Sequence, residues 1–453
     1  MKKLGLALGS VVITLLVVEI VLRLTGLGMV RPQFQFDPHT GERLEAGTFV
    51  GDRDLFWREP SDPATAGTRP GNFIRVGDPV PAKGGKLRII TLGDSCTRLS
   101  SGGRPYSVVL EQMLDPRRVE VYNASLPGYT SHQGLAWLEK QLLAWEPDLV
   151  IIYFGWNDHW RSTGTTDKEY AASLRPNRLR LLNLFQRRQS PPPLRVSRED
   201  YARNLQRMAD KIEAAGGRSW VVLAPHSINE ANTAFYLKNG NIIPEDDPQR
   251  LHDRYLATAR QEAGSRAVDM AAVFAEIGLP QVLLMRDGIH PTDPGHAVIA
   301  RVLADRAQRE LLGDPGQAPQ PVVTGLTQLA KQLNDAGQYA AAVAAYERAI
   351  AREPAYPKPR LGLAWLLATC PADTLRDGEV ARAMLDPLRE KLGAEPDFLF
   401  VAAGAEAAVG RYDAAVAMLD RALAALEGRN QGATPFAQTI RRTGEKYRHG
   451  EPY

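Results

Sequence analysis

The stretch LRIITLGDSCT, residues 87–97, joins an apolar run to a turn that carries a serine. Helical patterns separate it from four further apolar runs, which are VEVYN (119–123), DLVIIYF (148–154), SWVVLA (219–224) and RAVDM (266–270). Strands that are apolar throughout and alternate with helices are typical of a parallel sheet covered on both faces. The pattern predicts an α/β fold with a parallel five-stranded sheet. Ligands of such sheets bind at the carboxyl ends of the strands, so chemistry is expected just after each run.

The composition is that of an ordinary globular chain. At about 150 residues per domain, 453 residues suggest three units, and 44% hydrophobic with 24% charged residues exclude wholesale disorder. The net charge of +3 is too small to indicate a nucleic-acid surface. Two cysteines exclude a disulfide scaffold and a cysteine-rich zinc site, and the scattered histidines lack ligand spacing. We therefore predict no metal, no cofactor and no nucleic-acid partner.

The N-terminal segment is apolar enough to enter a membrane. Residues 4–22 are 19 positions with one charge, Glu19, and they follow Lys2 and Lys3. This length and charge placement predict a signal anchor within residues 1–30, crossing the membrane once with the N-terminus inside and the rest of the chain on the extracytoplasmic, periplasmic side. A cleaved signal peptide and an unexported apolar helix are the alternatives. The anchor is favoured because no Ala-x-Ala site follows the apolar core.

Irregular segments flank and interrupt the strand pattern. Residues 31–85 read as a spacer with short packed pieces around the sequence FW at 56–57. Residues 161–197 contain the basic stretch RPNRLRLLNLFQRRQ, which is either a solvated surface insertion or a contact for an anionic polymer or lipid headgroups. Residues 227–250 form a second long connection, a candidate rim over the site.

The C-terminal third is an alanine-rich helical region that follows a linker at 314–324. The sequence GQYAAAVAAYERAIAREP (337–354) is echoed by GRYDAAVAMLDRALAA (410–425). This self-similarity resembles the tetratricopeptide repeat (TPR), with three units over 325–427 and a capping helix or tail at 428–453. The resemblance implies an all-α helical-repeat domain with a concave surface that binds a protein or peptide partner.

Polar residues follow the predicted strands at the edge where ligands bind. Ser95 comes directly after the first strand, Gly128 lies in the loop after the second, and Asn157 follows the third. Asp287 and His290 stand three residues apart before the last helix of the domain, a spacing that lets a carboxylate orient an imidazole. Each signal alone is an ordinary turn sequence, and only their common order gives them weight.

Together these blocks resemble the SGNH (GDSL-type) hydrolase family, over a domain bounded at 86–313. The resemblance implies a flavodoxin-like three-layer α/β sandwich. It also implies that Ser95 is the nucleophile, His290 the base and Asp287 the group that orients the imidazole. The backbone N–H groups of Ser95 and Gly128 would form the oxyanion hole with the Asn157 side chain. Histidine suits the base because its ordinary pKa, about 6.5, lies near neutral pH.

Several neighbouring residues are assigned lesser roles. Trp156, His159 and His226 follow strand ends and are candidates for lining the pocket. Cys96, beside the serine, is interpreted as packed behind the turn rather than reactive. His296 is interpreted as structural.

The resemblance implies a function as well as a fold. The leading hypothesis is a membrane-anchored extracytoplasmic serine esterase that cleaves O-acyl esters, above all O-acetyl esters, on carbohydrate or small molecules through an acyl-Ser95 intermediate. One alternative is an O-acyltransferase that passes the acyl group to an exopolysaccharide or envelope glycan with the same residues. The other is a TPR interaction scaffold whose hydrolase domain is accessory or inactive.

Overall fold

The computed structural model describes residues 2–27, 49–60, 72–175, 177–184, 189–313 and 319–453. Contacts divide the chain into two compact units, Met1–His296 and Ala297–Tyr453. The predicted spacer (31–85) and linker (314–324) lie partly outside the described residues, and the domain boundaries derived from the sequence stay predictions.

The first unit is built on the predicted parallel five-stranded sheet. The strands in chain order are β1 (Val50–Asp52), β2 (Phe56–Arg58), β3 (Leu87–Gly93), β4 (Val119–Ser125), β5 (Leu149–Tyr153), β6 (Arg218–Val222) and β7 (Ala267–Val268). The main sheet has the order β4-β3-β5-β6-β7 with every pair parallel, and β1 and β2 form a separate antiparallel pair. The prediction of a five-stranded parallel sheet is confirmed.

The central strands are buried because helices surround the sheet. Ile89, Ile90 and Leu92 of β3 are fully buried, as are all five residues of β5. A strand with water on one face would alternate apolar and polar side chains, so this continuous burial follows from the doubly covered sheet.

Most helices of this unit lie in the connections between strands, while the first helix precedes the first strand and the last helices follow β7. The helices are α1 (Lys2–Thr25), α2 (Ser95–Arg98), α3 (Tyr106–Met113), α4 (Ser131–Lys140), α5 (Asp167–Ser173), α6 (Arg180–Leu184), α7 (Arg198–Ala214), α8 (Glu230–Lys238), α9 (Pro248–Ala263), α10 (Met270–Ile277) and α11 (Pro280–Leu283), and α12 (Asp293–Glu310) begins in this unit and continues into the second. Short 3-10 helices follow at Leu142–Trp145 and Gly264–Arg266. The polar side chain of Ser197 begins α7 by accepting a hydrogen bond from the backbone N–H of Asp200.

The strand order determines where a site can form. From β3 the chain turns to β4 on one side and then crosses to β5 on the other side, so β3 and β5 leave a crevice between their carboxyl ends. Ser95 follows β3 and Asn157 follows β5. The topology therefore brings these two residues to the same crevice.

The N-terminal helix α1 is long and apolar enough to cross a membrane. Its most apolar window, Leu8–Thr25, has a mean hydropathy of 2.1, and most of its large side chains are exposed. This helix contacts α6 through Glu19. The Glu19 carboxylate accepts hydrogen bonds from the backbone N–H groups of Arg180 and Leu181 at 3.1 and 3.2 Å.

The second unit is helical. It contains α13 (Pro321–Asp335), α14 (Tyr339–Arg352), α15 (Pro357–Thr369), α16 (Gly378–Leu392), α17 (Pro396–Ala408), α18 (Tyr412–Gly428) and α19 (Pro435–Arg448). Glycines let helices approach closely: a Cβ at Gly362 would lie 2.5 Å from the Tyr346 ring, and one at Gly404 would lie 2.8 Å from the Trp365 ring. The helical domain is as expected, and its assignment to the TPR class stays a prediction.

Candidate active site

Ser95 sits on a tight turn between β3 and the short helix α2. Asp94 begins that helix, because its Oδ1 accepts a hydrogen bond from the Cys96 N–H at 2.9 Å. Gly93 is required just before, since a Cβ there would lie 2.1 Å from the Thr97 hydroxyl and 2.8 Å from the Tyr153 carbonyl. The turn therefore presents the Ser95 hydroxyl at the sheet's carboxyl edge.

His290 and Asp287 complete a hydrogen-bonded chain that ends at this hydroxyl. His290 Nε2 lies 2.9 Å from Ser95 Oγ, and His290 Nδ1 lies 2.6 Å from Asp287 Oδ2. A carboxylate only accepts, so Nδ1 carries the ring proton and Nε2 is left to accept from Ser95. This is the protonation pattern that a general base requires.

A tight turn holds the acid and the base together. Asp287 Oδ1 accepts hydrogen bonds from the backbone N–H groups of Ile289 and His290 at 3.0 and 3.1 Å. Burial raises the pKa of Asp287, but the His290 ring and these N–H groups outweigh it and bring the pKa to about 2. Gly288 has a φ of +78°, and a Cβ there would lie 2.6 Å from the Ser227 carbonyl, so the turn needs glycine. The carboxylate is thus ionised at neutral pH.

The predicted oxyanion-hole donors are the backbone N–H groups of Ser95 and Gly128 and the Asn157 side chain; Ser95 and Asn157 line the cavity beside the nucleophile, and Gly128 does not. Gly128 has a φ of +79°, and its backbone N–H, like that of Ser95, donates to no residue in the described part of the chain. Asn157 is 8% exposed and donates from Nδ2 to Asp94 Oδ2 at 2.9 Å, which fixes its amide plane. Its second N–H remains for a ligand.

Asp94 is a site residue that the sequence pattern did not single out. It is 1% exposed and bridges Asn157 and the N-terminus of α2. Burial raises its pKa to about 6, although the Cys96 N–H, the His290 charge and the Asn157 amide oppose the rise. Only its position beside Ser95 hinted at a role, because a partner 63 residues away is not visible in a local pattern.

The cavity at the nucleophile is small. A cavity of about 20 Å³ adjoins Ser95 and His290. Its other lining residues are Trp156, Asn157, Trp160, Phe235, Tyr236, Asn241, Asp287 and Ile289. Phe235, Tyr236 and Asn241 come from the connection 227–250, the predicted rim. About 10–15 Å³ suffices for one water, so the cavity has room for a methyl-sized group.

Residues 91–298 match the profile of the GDSL-like lipase/acylhydrolase family. This segment is a GDSL-like acylhydrolase domain. It contains every residue of the hydrogen-bonded chain, and membership of this class makes the protein a serine ester hydrolase.

Solved structures of bacterial esterases resemble the acylhydrolase domain at low sequence identity. A lipase/acylhydrolase from Enterococcus faecalis is 18% identical with a TM-score of 0.36, and the match covers 51% of this chain and 100% of that chain. An acetylxylan esterase from Geobacillus stearothermophilus is 22% identical with a TM-score of 0.34, covering 51% and 97%. No curated protein matches the sequence significantly.

Two of the candidate pocket residues, His159 and His226, do not line the cavity of the acylhydrolase domain. Trp156 does line it, and the ring of His252 stacks on the indole at 3.6 Å between centroids. His159 Nε2 lies 3.1 Å from His252 Nδ1, and His226 Nε2 lies 3.4 Å from Asp253 Oδ1. The expectation for these two histidines is therefore corrected, because ring packing around Trp156 holds them behind the cavity wall.

Cys96 and His296 are buried residues that pack in the interior of the acylhydrolase domain. Cys96 is fully buried with its Sγ 3.6 Å from the Ile289 carbonyl, and burial raises the thiol pKa. Both ring nitrogens of His296 are occupied: Nδ1 accepts from the Tyr106 N–H at 3.2 Å, and Nε2 lies 2.6 Å from the Leu99 carbonyl. In the described part of the chain, no group of three or more His, Cys, Asp or Glu side chains could hold a metal ion.

Buried histidines should make the fold sensitive to acid. Burial lowers the pKa of His159 to about 3 and of His296 to about 4, and it also lowers the pKa of His252. Histidine in the unfolded chain titrates near pH 6.5. At pH 5 these histidines are therefore protonated in the unfolded chain, while His159 and His296 stay neutral in the folded domain. Each of the two histidines with a stated pKa then costs about 2 kcal/mol of stability. This stability is present above pH 6.5 and is lost as the pH falls.

Two buried carboxyl groups act in the opposite direction. Burial raises the pKa of Asp94 to about 6 and of Asp158 to about 7, so each adds stability as the pH falls below its folded pKa. Because the histidines outnumber them, we expect the unfolding midpoint of the full chain to decrease from pH 7 to pH 5. Thermal unfolding followed by circular dichroism checks this, and Asp158→Asn should steepen the decrease. A midpoint that is constant or higher at pH 5 would contradict it.

Proposed function

We propose that the acylhydrolase domain cleaves O-acetyl esters through an acyl-Ser95 intermediate. The observation that carries this proposal is the continuous chain from Asp287 through His290 to Ser95, with contacts of 2.6 and 2.9 Å. A serine hydroxyl is a weak nucleophile until a base removes its proton during attack, and this arrangement supplies that base.

The first half of the reaction forms the acyl-enzyme. His290 Nε2 takes the proton from Ser95 Oγ as that oxygen bonds to the ester carbonyl carbon. The carbonyl oxygen becomes an oxyanion, and the Asp287 carboxylate stabilises the imidazolium. When the tetrahedral intermediate collapses, the bond to the alcohol oxygen breaks and Nε2 gives its proton to the leaving alcohol.

The second half returns the enzyme to its starting state. A water attacks the acyl carbon and passes one proton to His290 Nε2, and the imidazolium then protonates Ser95 Oγ as acetic acid leaves and ionises in solution. In both halves the N–H groups of Ser95 and Gly128 and the amide of Asn157 donate to the oxyanion. Donors of this kind contribute about 3–4 kcal/mol each to lowering the barrier.

The acyl and alcohol parts of the substrate are proposed from the shape of the site. The cavity of about 20 Å³ suits a methyl group, so acetyl is the favoured acyl group. The aromatic rings of Trp160 and Tyr236 line the cavity, and Phe235 is 41% exposed. Aromatic faces pack against the C–H faces of sugar rings, which supports an O-acetylated carbohydrate as the carrier.

The acyl preference can be tested with a homologous series of aryl esters. For the full-length protein in detergent, we expect kcat/KM for 4-nitrophenyl acetate to exceed that for the butyrate at least tenfold, because two further methylenes have no space in the cavity. Release of 4-nitrophenol is the measurement, with Ser95→Ala as the blank. Equal rates for acetate and octanoate would contradict the acetyl assignment.

A second measurement separates the esterase from the acyltransferase alternative. It compares the acetate released into solution with the acetyl groups transferred to an added glycan.

We further propose that α1 anchors the enzyme in a membrane with the catalytic domain on the periplasmic side. At about 1.5 Å per residue, residues 4–22 reach about 28 Å, which matches a hydrocarbon core of about 30 Å. Exposed apolar side chains such as Leu8, Val12 and Leu16 support a lipid environment for this helix. The contact between Glu19 and α6 would place that short helix near the outer interface.

The helical second unit is proposed to recruit a protein or peptide partner as a TPR domain. The close packing of Tyr346 on Gly362 supports a repeat architecture, since small residues let paired helices touch. The complete chain from Asp287 to Ser95 favours an active enzyme over a scaffold with an inactive domain.

A further inference from the structure

A second groove lies in the first unit between α4, α5 and α7. Its volume is about 360 Å³, far larger than the space at Ser95 and within the range of about 300–1,000 Å³ that small-molecule sites occupy. Neither Ser95, His290 nor Asp287 lines it. The groove is therefore separate from the catalytic cavity.

Cations dominate the walls of this groove. Its basic lining residues are Lys168, Arg175, Arg195, Arg203 and Arg207. Its acidic lining residues are Glu139 and Asp200. The lining side chains alone thus carry three more positive than negative charges.

Ion pairs neutralise only part of this charge. Arg207 pairs with Glu139 at 3.0 Å, and Asp200 is shared by Arg203 at 2.5 Å and Lys168 at 3.3 Å. These three lining cations thus share two carboxylates, one of which, Glu139, also pairs with Lys211 at 3.3 Å.

Two further arginines complete the charge count. Arg195 pairs with the buried carboxylate of Asp167 at 3.1 Å. The exposed guanidinium of Arg175 donates to no residue within the described ranges. The five lining cations thus have three carboxylate partners. The groove keeps a net positive charge, which an anionic ligand would neutralise.

Apolar side chains form part of the floor of the groove. Leu135 and Val196 are buried beneath it, and Ala136 contributes a small surface. The His132 ring stacks on Phe56 at 5.9 Å, and its nitrogens have no hydrogen-bond partner in the described part of the chain. A bare phosphate would use the cations and leave this floor uncovered. A ring with one apolar face and an acidic substituent would use both.

One side chain connects the groove to the loop that carries the predicted oxyanion donor. Arg195 Nη1 donates to the Gly128 carbonyl at 2.7 Å, and Arg195 Nη2 donates to Gln133 Oε1 at 3.1 Å. The groove and the Gly128 loop are therefore separated by no more than the guanidinium of one arginine. A polymer bound in the groove would lie beside the loop.

We infer that this groove binds an acidic sugar residue, with a C–H face on the apolar floor and its carboxylate toward Arg175 and Arg203. The natural acyl carrier is then a uronate-containing glycan rather than a neutral one. This identity of the carrier rests on the proposed esterase function, whereas binding of the acidic sugar does not.

Binding is tested in the full-length Ser95→Ala protein, so that turnover plays no part. We expect calorimetry to detect trigalacturonate and to give at least tenfold weaker binding of neutral xylotriose. Arg175→Ala/Arg203→Ala should weaken trigalacturonate binding about tenfold. Arg254→Ala/Arg260→Ala, two exposed arginines on α9, should change it less than twofold. Affinity should also fall between 50 and 300 mM NaCl, because exposed charges are screened.

Other results would overturn the inference. Equal affinity for both trisaccharides, no effect of the groove variant, or displacement of trigalacturonate by equimolar inorganic phosphate would each do so. In the wild-type background, the groove variant should raise KM for O-acetylated oligogalacturonate about tenfold and leave kcat/KM for 4-nitrophenyl acetate unchanged. If wild type fails to hydrolyse 4-nitrophenyl acetate, the esterase proposal falls while the binding result stands.

Discussion

Replacing Ser95 with alanine is expected to lower kcat for 4-nitrophenyl acetate by about 10⁵- to 10⁶-fold, because the nucleophile carries the whole covalent pathway. The same change should abolish labelling by a fluorophosphonate probe, which reacts with a serine activated by a neighbouring base. His290 Nε2 lies 2.9 Å from this hydroxyl and is the only base in contact with it among the described residues. Ser95 is 2% exposed and forms the first residue of α2, so the loss of one oxygen should leave the fold intact.

The control for this experiment is Ser101→Ala. Ser101 is exposed and lies six positions further along the chain, so labelling and turnover should match those of wild type. Circular dichroism and thermal unfolding establish that each variant is folded. A folded wild-type protein that resists the probe, or a folded Ser95→Ala protein that still reacts with it, would refute the serine mechanism.

Replacing His290 with alanine is the second large effect, with an expected loss of about 10⁴- to 10⁶-fold in kcat. Without the ring, no side chain accepts the Ser95 proton during attack or returns it to the leaving alcohol. Added imidazole should restore part of the rate, because the missing ring leaves space beside Ser95 Oγ. The measurement is the steady-state rate with and without 50–100 mM imidazole, with Ser95→Ala showing no recovery.

Asp287→Asn serves as the matched comparison for His290→Ala. An asparagine amide can donate to His290 Nδ1, which favours the ring tautomer with the proton on Nε2, and that nitrogen then cannot accept from Ser95. We expect a loss of about 10⁴-fold, no larger than that of His290→Ala. Unchanged activity in His290→Ala would show that another group is the base.

The sheet could be predicted from the sequence because its strands are apolar throughout. Each of the five runs became a strand, for example β3 at Leu87–Gly93 and β5 at Leu149–Tyr153. Their order in the sheet does not follow from periodicity, which reports which faces are buried but not which strands pair.

Ser95, Asp287 and His290 could be predicted from motifs. The residues that hold the site in place through hydrogen bonds could not. Asp94 holds Asn157 across 63 residues, and the Tyr236 hydroxyl donates to the Asp287 carbonyl across 51 residues. Such contacts depend on packing between distant segments. The same limit explains the error at His159, whose place after a strand suggested the pocket although ring stacking keeps it behind the wall.

The basic insertion at 161–197 suggested an anionic partner, but the groove itself could not be predicted from the sequence. Its cations come from separate segments, with Lys168 on α5, Arg175 just after that helix and Arg203 on α7. Along the sequence these side chains alternate with acids and read as solvated surface. Only the fold places an apolar floor beneath them.

The turn that joins Asp287 to His290 also affects the order in which the site is completed during folding. The contacts of the Asp287 carboxylate in this turn span at most three residues, so acid and base align as soon as the turn closes. The bond from His290 to Ser95 spans 195 residues and requires the finished sheet, and such long-range contacts form late because loop closure is entropically costly. Hydrolytic activity recovered during refolding should therefore report the last step of folding of the acylhydrolase domain, while spectroscopic signals of its helices return earlier.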